Sequence, residues 1–84
     1  MKLISIVHTP DTGRVAYSFV LEEETRTYTA SVSDTNGIRS IVCEPDLESL
    51  LLKILARRND AVKVLSKATW DLIDGIDVSL PIAF

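Results

Sequence analysis

His8 and Cys43 are the single histidine and the single cysteine of this 84-residue chain, so general-base or thiolate chemistry would have to rest on them. His8 falls at the end of a predicted strand beside a turn, where a solvated structural imidazole is the plainer reading than a catalytic base. Cys43 would need a neighbour that stabilises the thiolate, and the alternation around it turns it toward apolar residues instead. With one of each there is no HExxH, no CxxC and no pair of soft ligands, which excludes a dedicated zinc, haem or iron–sulfur site. Gly13, Gly37 and Gly75 all sit at predicted turns, and none belongs to a phosphate-cradling loop, so no nucleotide cofactor is expected. The chain reads as non-enzymatic, without cofactor or metal.

What remains is surface. Glu22, Glu23 and Glu24 place three like charges at a predicted loop tip, and Asp71, Asp74 and Asp77 form a second acidic group. Either group could attract a cation, although charged loops more commonly keep sheet edges soluble and unpaired. Between Lys53 and Lys67 five cations (Lys53, Arg57, Arg58, Lys63, Lys67) stand against one anion, Asp60, and suggest a basic ridge that could meet nucleic acid or an acidic protein. Trp70 lies about 180° from Ala61 on a helical wheel, on the side of Lys63, Lys67 and Asp74. A tryptophan there is off the core stripe and makes a candidate interface anchor, unless the C-terminal tail folds over it.

The counts bound these options. Hydrophobic residues at 46% and charged residues at 25% describe an ordinary soluble domain, and the length suits a single domain over 1–84. A net charge of -3 argues against broad neutralisation of phosphates, so direct nucleic-acid binding ranks low. A lone cysteine offers no intramolecular disulfide, which fits a reducing, cytoplasmic setting. The N-terminal apolar run is broken by His8, Thr9, Pro10 and Asp11 before it resembles a signal peptide, and no stretch is long enough for a membrane span.

Strands are expected over about 2–8, 14–21, 26–33 and 38–43. Val15, Tyr17, Phe19 and Leu21 alternate with polar or small neighbours, as do Tyr28, Ala30 and Val32, the signature of strands with one buried face. If Leu21 faces Arg26 across the Glu22–Thr25 loop, Phe19 meets Tyr28, Tyr17 meets Ala30 and Val15 meets Val32. Asn36-Gly37 is a strong type I′ hairpin signal that sets Val32 opposite Ile41, Ala30 opposite Cys43 and Asp34 opposite Arg39 as an ion pair. In the first strand Leu3 and Val7 share one face and Ile4 and Ile6 the other, so one apolar pair must leave the core. With Ala16 and Val20 it would make an apolar patch on the outer sheet face.

Two helices follow, over about 47–58 and 60–74. Asp46 caps the first, Leu47, Leu50, Leu51, Ile54 and Leu55 recur at helical spacing, Leu52 widens the apolar arc, and Arg57 and Arg58 close it against the dipole. Asn59 caps the second, Ala61, Val64, Leu65, Ala68 and Leu72 form its buried stripe, and Gly75 stops it. A competing hairpin about Asp74-Gly75 has poorer register. The tail 76–84 alternates and is a candidate fifth strand, confined to an edge by Pro81. The fold class is α+β: a four-stranded antiparallel meander, then a helix hairpin on one face.

A motif-free, acidic, single-domain chain of this length resembles the small phage-encoded inhibitors, notably the anti-CRISPR proteins, including those directed at type I-E effector complexes. The resemblance rests on size, charge and the lack of a catalytic constellation, and it carries over no family residue. It implies a non-enzymatic inhibitor that docks on a host nucleoprotein complex, with Trp70 as anchor and Lys63, Lys67, Asp71, Asp74 and Glu22–Glu24 around the contact. The alternatives are a homodimeric accessory subunit using the outer sheet face and a nucleic-acid binder using the basic ridge.

Overall fold

A computed structural model describes residues 1–8, 15–35, 38–53 and 55–84, with side chains at all of these except 15, 16, 33–35, 38, 39 and 55. Five strands, β1 (Lys2–His8), β2 (Val15–Glu23), β3 (Arg26–Thr35), β4 (Ile38–Cys43) and β5 (Ile82–Ala83), form one sheet of order β4-β3-β2-β1-β5. All described pairings are antiparallel. Helices α1 (Pro45–Leu52) and α2 (Leu55–Ile73) come between β4 and β5. The chain is therefore α+β, a meander followed by a helix pair, as the alternation and periodicity predict.

The core lies between the helices and one sheet face. Leu3, Phe19, Leu21 and Val32 from the sheet meet Leu47 and Leu65 from the helices, all fully buried. Removing such surfaces from water is the main favourable contribution to folding here, at about 25 cal/mol per Å² of apolar area. Thr69 joins them at 1% exposure, its Oγ1 donating to the Leu65 carbonyl oxygen at 2.8 Å. That bond satisfies the hydroxyl inside the helix and lets a polar residue occupy the buried stripe.

The β3–β4 register follows the prediction: Ala30 lies opposite Cys43, Val32 opposite Ile41 and Asp34 opposite Arg39. The turn at Asn36-Gly37, the turn at Thr9–Gly13, and the side chains of the expected Asp34–Arg39 ion pair are outside the description. The β2–β3 register differs by two residues. Leu21 faces Tyr28, Phe19 faces Ala30, Tyr17 faces Val32 and Val15 faces Asp34. Glu22 and Glu23 are strand residues paired with Thr27 and Arg26, and the turn shrinks to Glu24-Thr25, with Glu24 at φ 56°. A slip of two keeps every side chain on its face, so the apolar pattern is equally satisfied by both pairings.

The first strand solves its split apolar pattern with a bulge. Leu3 pairs with Leu21 but Ser5 pairs with Val20 and Ile6 with Phe19, so the register shifts around Ile4. The extra residue lets Leu3 and Ile6, three apart, both serve the core, while Val7 turns outward at 53% exposure.

The helix boundaries also shift. Glu44 occupies the N-cap position, Pro45 starts the helix, and the acidic Asp46 and Glu48 sit in its first turn where the dipole favours them. α1 ends at Leu52, which stays 55% exposed and widens no contact. Arg57, Arg58 and Asn59 therefore belong to the beginning of α2, and neither close the first helix nor cap the second. The stop at Gly75 is as expected: at φ 77° it allows the Ile76 N–H to reach the Asp71 carbonyl (2.8 Å) and its own N–H the Leu72 carbonyl (3.2 Å), a Schellman cap. No helix in the described residues is long and apolar enough to cross a membrane.

Candidate protein-interaction surface

The second helix buries Ala61, Leu65, Ala68 and Thr69 and so presents its opposite face to solvent. Trp70 is 55% exposed on that face, and Ile73, one turn on, is 38% exposed. Beyond the Gly75 cap, Ile76 and Leu80 are exposed too. The tail runs on to β5, which pairs Ile82 with Leu3 and Ala83 with Lys2 at the sheet's far edge, and the indole stays 55% exposed. Leu80 lies elsewhere, in a hollow lined by Ile6, His8 and Tyr17, so the exposed apolar pair on this face of the helix is Trp70 and Ile73.

The charges predicted around Trp70 are partly brought together. The Lys67 ammonium donates to Asp71 at 2.8 Å, four residues on, and Lys63 is exposed one turn earlier. Asp74 caps the helix end as an exposed residue, with its N–H bonded to the Trp70 carbonyl at 3.0 Å. Trp70, Lys67, Asp71 and Asp74 thus gather at the C-terminal end of α2, with Lys63 at its middle, an apolar centre with both signs of charge beside it.

Glu22–Glu24 do not join them. Glu23 is a clamp: its Oε2 pairs with the Arg57 guanidinium and lies 3.6 Å from the N-terminal amine, which also donates to the Phe84 carbonyl at 3.2 Å. That arrangement ties β2, α2 and both chain ends together. Of the three, Glu24 at the turn is exposed, while Glu22 is half-buried in β2. The basic ridge is likewise divided, since Arg57 is held by Glu23 and Lys67 by Asp71, which neutralises two of the five cations. Arg26 is paired with Asp46 and stacks over the Tyr28 ring at 5.1 Å, and Thr29 Oγ1 donates to Glu44 at 2.9 Å, fastening the start of α1 to β3.

The two chemically reactive side chains have structural surroundings. His8 is exposed at the end of β1 with its ring 5.1 Å from that of Tyr17. Burial pushes the Cys43 thiol up, the Glu48 carboxylate adds to this, and Arg58 opposes it. A protonated thiol is a poor nucleophile. Among the described residues no three His, Cys, Asp or Glu side chains gather as a metal-holding group. On the outer sheet face Val20 lies where expected, opposite Thr29 and half-buried, and Val7 and Val42 join it at 53% and 62% exposure, while Leu3 is in the core. Ala16, also expected there, has its side chain outside the description.

The helical wheel places Trp70 on the side of the helix that the structure leaves exposed. It does not foresee the exposure of Ile73 and Ile76, which depends on where the helix stops and which way the tail departs. Compared with known proteins, the chain is 29% identical over 80 residues to a protein of Escherichia coli O1:K1:H7 (strain U5/41) named "Cysteine protease immunity 1", an alignment covering 95% of this chain and 83% of that protein. No protein-family model matches the chain, and no solved structure matches it.

Proposed function

We propose that this chain is a non-enzymatic inhibitor of the immunity type, which binds a cysteine protease and holds it inactive. The observation that carries this reading is the similarity to "Cysteine protease immunity 1", because it runs nearly end to end and so takes in the whole fold and not one common motif. A chain whose lone thiol is held protonated and whose lone histidine stacks on a tyrosine supports inhibition by contact over inhibition by chemistry. In this reading Trp70 and Ile73 supply the desolvated centre of the contact, and Lys63, Asp71 and Asp74 its polar rim. The similarity bears on a protease as partner. No observation bears on a CRISPR effector complex, and the protease takes that place.

The test is titration of the purified protein into cysteine proteases of the strain that encodes it, and into the protease countered by the Escherichia coli relative. At least one should lose peptide hydrolysis at a one-to-one ratio and co-elute with the inhibitor in gel filtration. Unchanged hydrolysis across all of them, with no co-elution, overturns the reading.

A further inference from the structure

The two edges of the sheet are unlike. The β5 edge is two residues long and follows Pro81, a short and blunted edge of the kind that resists pairing. At the other edge, β4 carries Ser40, Ile41, Val42 and Cys43 in succession, with no proline and no charge among them. The Glu44 N–H donates to the Thr29 carbonyl at 3.1 Å, so residues 29 and 44 face each other as a bonded position of the ladder. Antiparallel pairs alternate between bonded and non-bonded. The pairs Ala30–Cys43 and Val32–Ile41 are then non-bonded ones, and the N–H and C=O of Ile41 and Cys43 point away from β3, toward the open edge.

A groove of about 310 Å³ runs beside those groups, between β4 and the helices. Ile41, Cys43, Leu51, Ala61, Val62 and Leu65 line it, and Glu48 and Arg58, both exposed, border it with one charge of each sign. A strand added along β4 would set its residues opposite Ile41 and Cys43 with side chains on the same face as theirs, the helix face, and so over this groove. Backbone complementarity and the apolar pocket then select the same ligand.

We infer that the open edge of β4 and the groove beside it receive an extended segment of the protein partner, which adds a sixth strand and inserts an apolar side chain between β4 and α2. The mode is strand addition, with main-chain bonds to Ile41 and Cys43 supplying affinity and the groove supplying selectivity. A second copy of this chain is a poorer occupant. The uncharged edge from Ser40 to Cys43 is about 13 Å long and, at a sheet thickness of about 10 Å, offers on the order of 130 Å², against the roughly 800 Å² per partner that a stable interface covers. A flexible segment instead fills groove and edge at once. The inference rests on the inhibitor reading for the identity of the partner, while the site itself can be probed without it.

Amide hydrogen exchange read by NMR tests both. In the free protein the Ile41 and Cys43 amides should exchange about tenfold faster than that of Val42, which faces β3. In the complex with the inhibited protease they should slow by about tenfold. Two variants accompany this: Ile41→Pro, which removes an outward N–H and leaves the bonds of Val42 to β3 in place, and Val62→Glu, which puts a charge in the groove. Each should weaken protease binding about tenfold or more with the circular dichroism spectrum retained. A complex in which the Ile41 and Cys43 amides exchange as fast as in the free chain overturns the inference. Where no protease binds, the blocked peptide acetyl-Ala-Val-Leu-Val-Ala-amide at millimolar concentration is the probe. Slowed exchange at Ile41 and Cys43 then upholds the site and overturns the protease reading, and unchanged exchange overturns both.

Discussion

The Arg57 guanidinium at the start of α2 is ion-paired with the Glu23 carboxylate at the end of β2, and the same carboxylate lies 3.6 Å from the N-terminal amine. Both side chains are about two-thirds covered, at 34% and 26% exposure, so the pair works in a less aqueous setting than a surface bridge. Glu23→Gln keeps the shape and removes the charge from between two cations. It should cost about 1 kcal/mol in urea denaturation at low ionic strength. The difference should shrink in about 1 M salt, where the screening length is only about 3 Å. An equal loss at both salt concentrations would mean that the side chain acts by packing.

Trp70 offers a separation of binding from stability. Trp70 lies outside the buried core, so Trp70→Ala should change the unfolding free energy by only about 1 kcal/mol. Binding of the protease should weaken about tenfold or more, as for the central aromatic of an interface. Isothermal titration beside a urea melt reads both quantities. Intact affinity would remove the end of α2 from the contact.

Cys43 should be slow to alkylate. Its thiol is held above the ordinary value of about 9, first by burial and then by Glu48, so little thiolate exists at neutral pH. Iodoacetamide at pH 8 should label the native chain more slowly than the urea-unfolded one. The same shift sets a sign for stability. A group whose folded pKa is raised contributes in full below its unfolded value, and that contribution is lost as pH rises through the folded value. Stability should therefore fall on the alkaline side of pH 9, and Cys43→Ala should flatten that fall. Equal labelling rates in the native and unfolded chains would show the thiol to be open to solvent.

What could be foreseen in this molecule depended on whether a local signal separated one arrangement from its neighbours. Asn36-Gly37 marks a turn that fits one register, and Ala30 does face Cys43. Glu24-Thr25 has no glycine or asparagine, and sliding β2 by two residues leaves Tyr17, Phe19 and Leu21 on the same face, so hydrophobicity could not choose Tyr28 over Arg26 as the partner of Leu21. No glycine or proline marks the break between Leu52 and Leu55, and apolar periodicity runs through it, which hid the placing of Arg57 at the head of α2. The exposure of Trp70 followed from helical geometry alone. The groove beside β4 did not, because it needs Leu51, Val62 and Ile41 brought together from three elements.

The bulge in β1 makes the last prediction, one that contrasts two deletions. Ile4 is the additional residue between Leu3, opposite Leu21, and Ser5, opposite Val20. Deleting Ile4 would leave Leu3, Ser5 and Ile6 in unbroken alternation against Leu21, Val20 and Phe19, with Leu3 and Ile6 still facing the core. The pairs Lys2–Ala83 and Leu3–Ile82 with β5 are untouched by it. The variant should fold, with a change of about 1 kcal/mol in stability. Deleting Ser18 from β2 is different, because no bulge absorbs the loss. Either Tyr17 or Phe19 must then turn to the outer face, against Val32 and Ala30 that stay inside. A core of this size has only about 5–15 kcal/mol in reserve, and burying a large aromatic is worth about 3–5 kcal/mol of it. The Ser18 deletion should therefore be unfolded or nearly so by circular dichroism at 25 °C, while the Ile4 deletion melts cooperatively. If the two melt alike, β1 does not use its extra residue to bring Leu3 and Ile6 to one face.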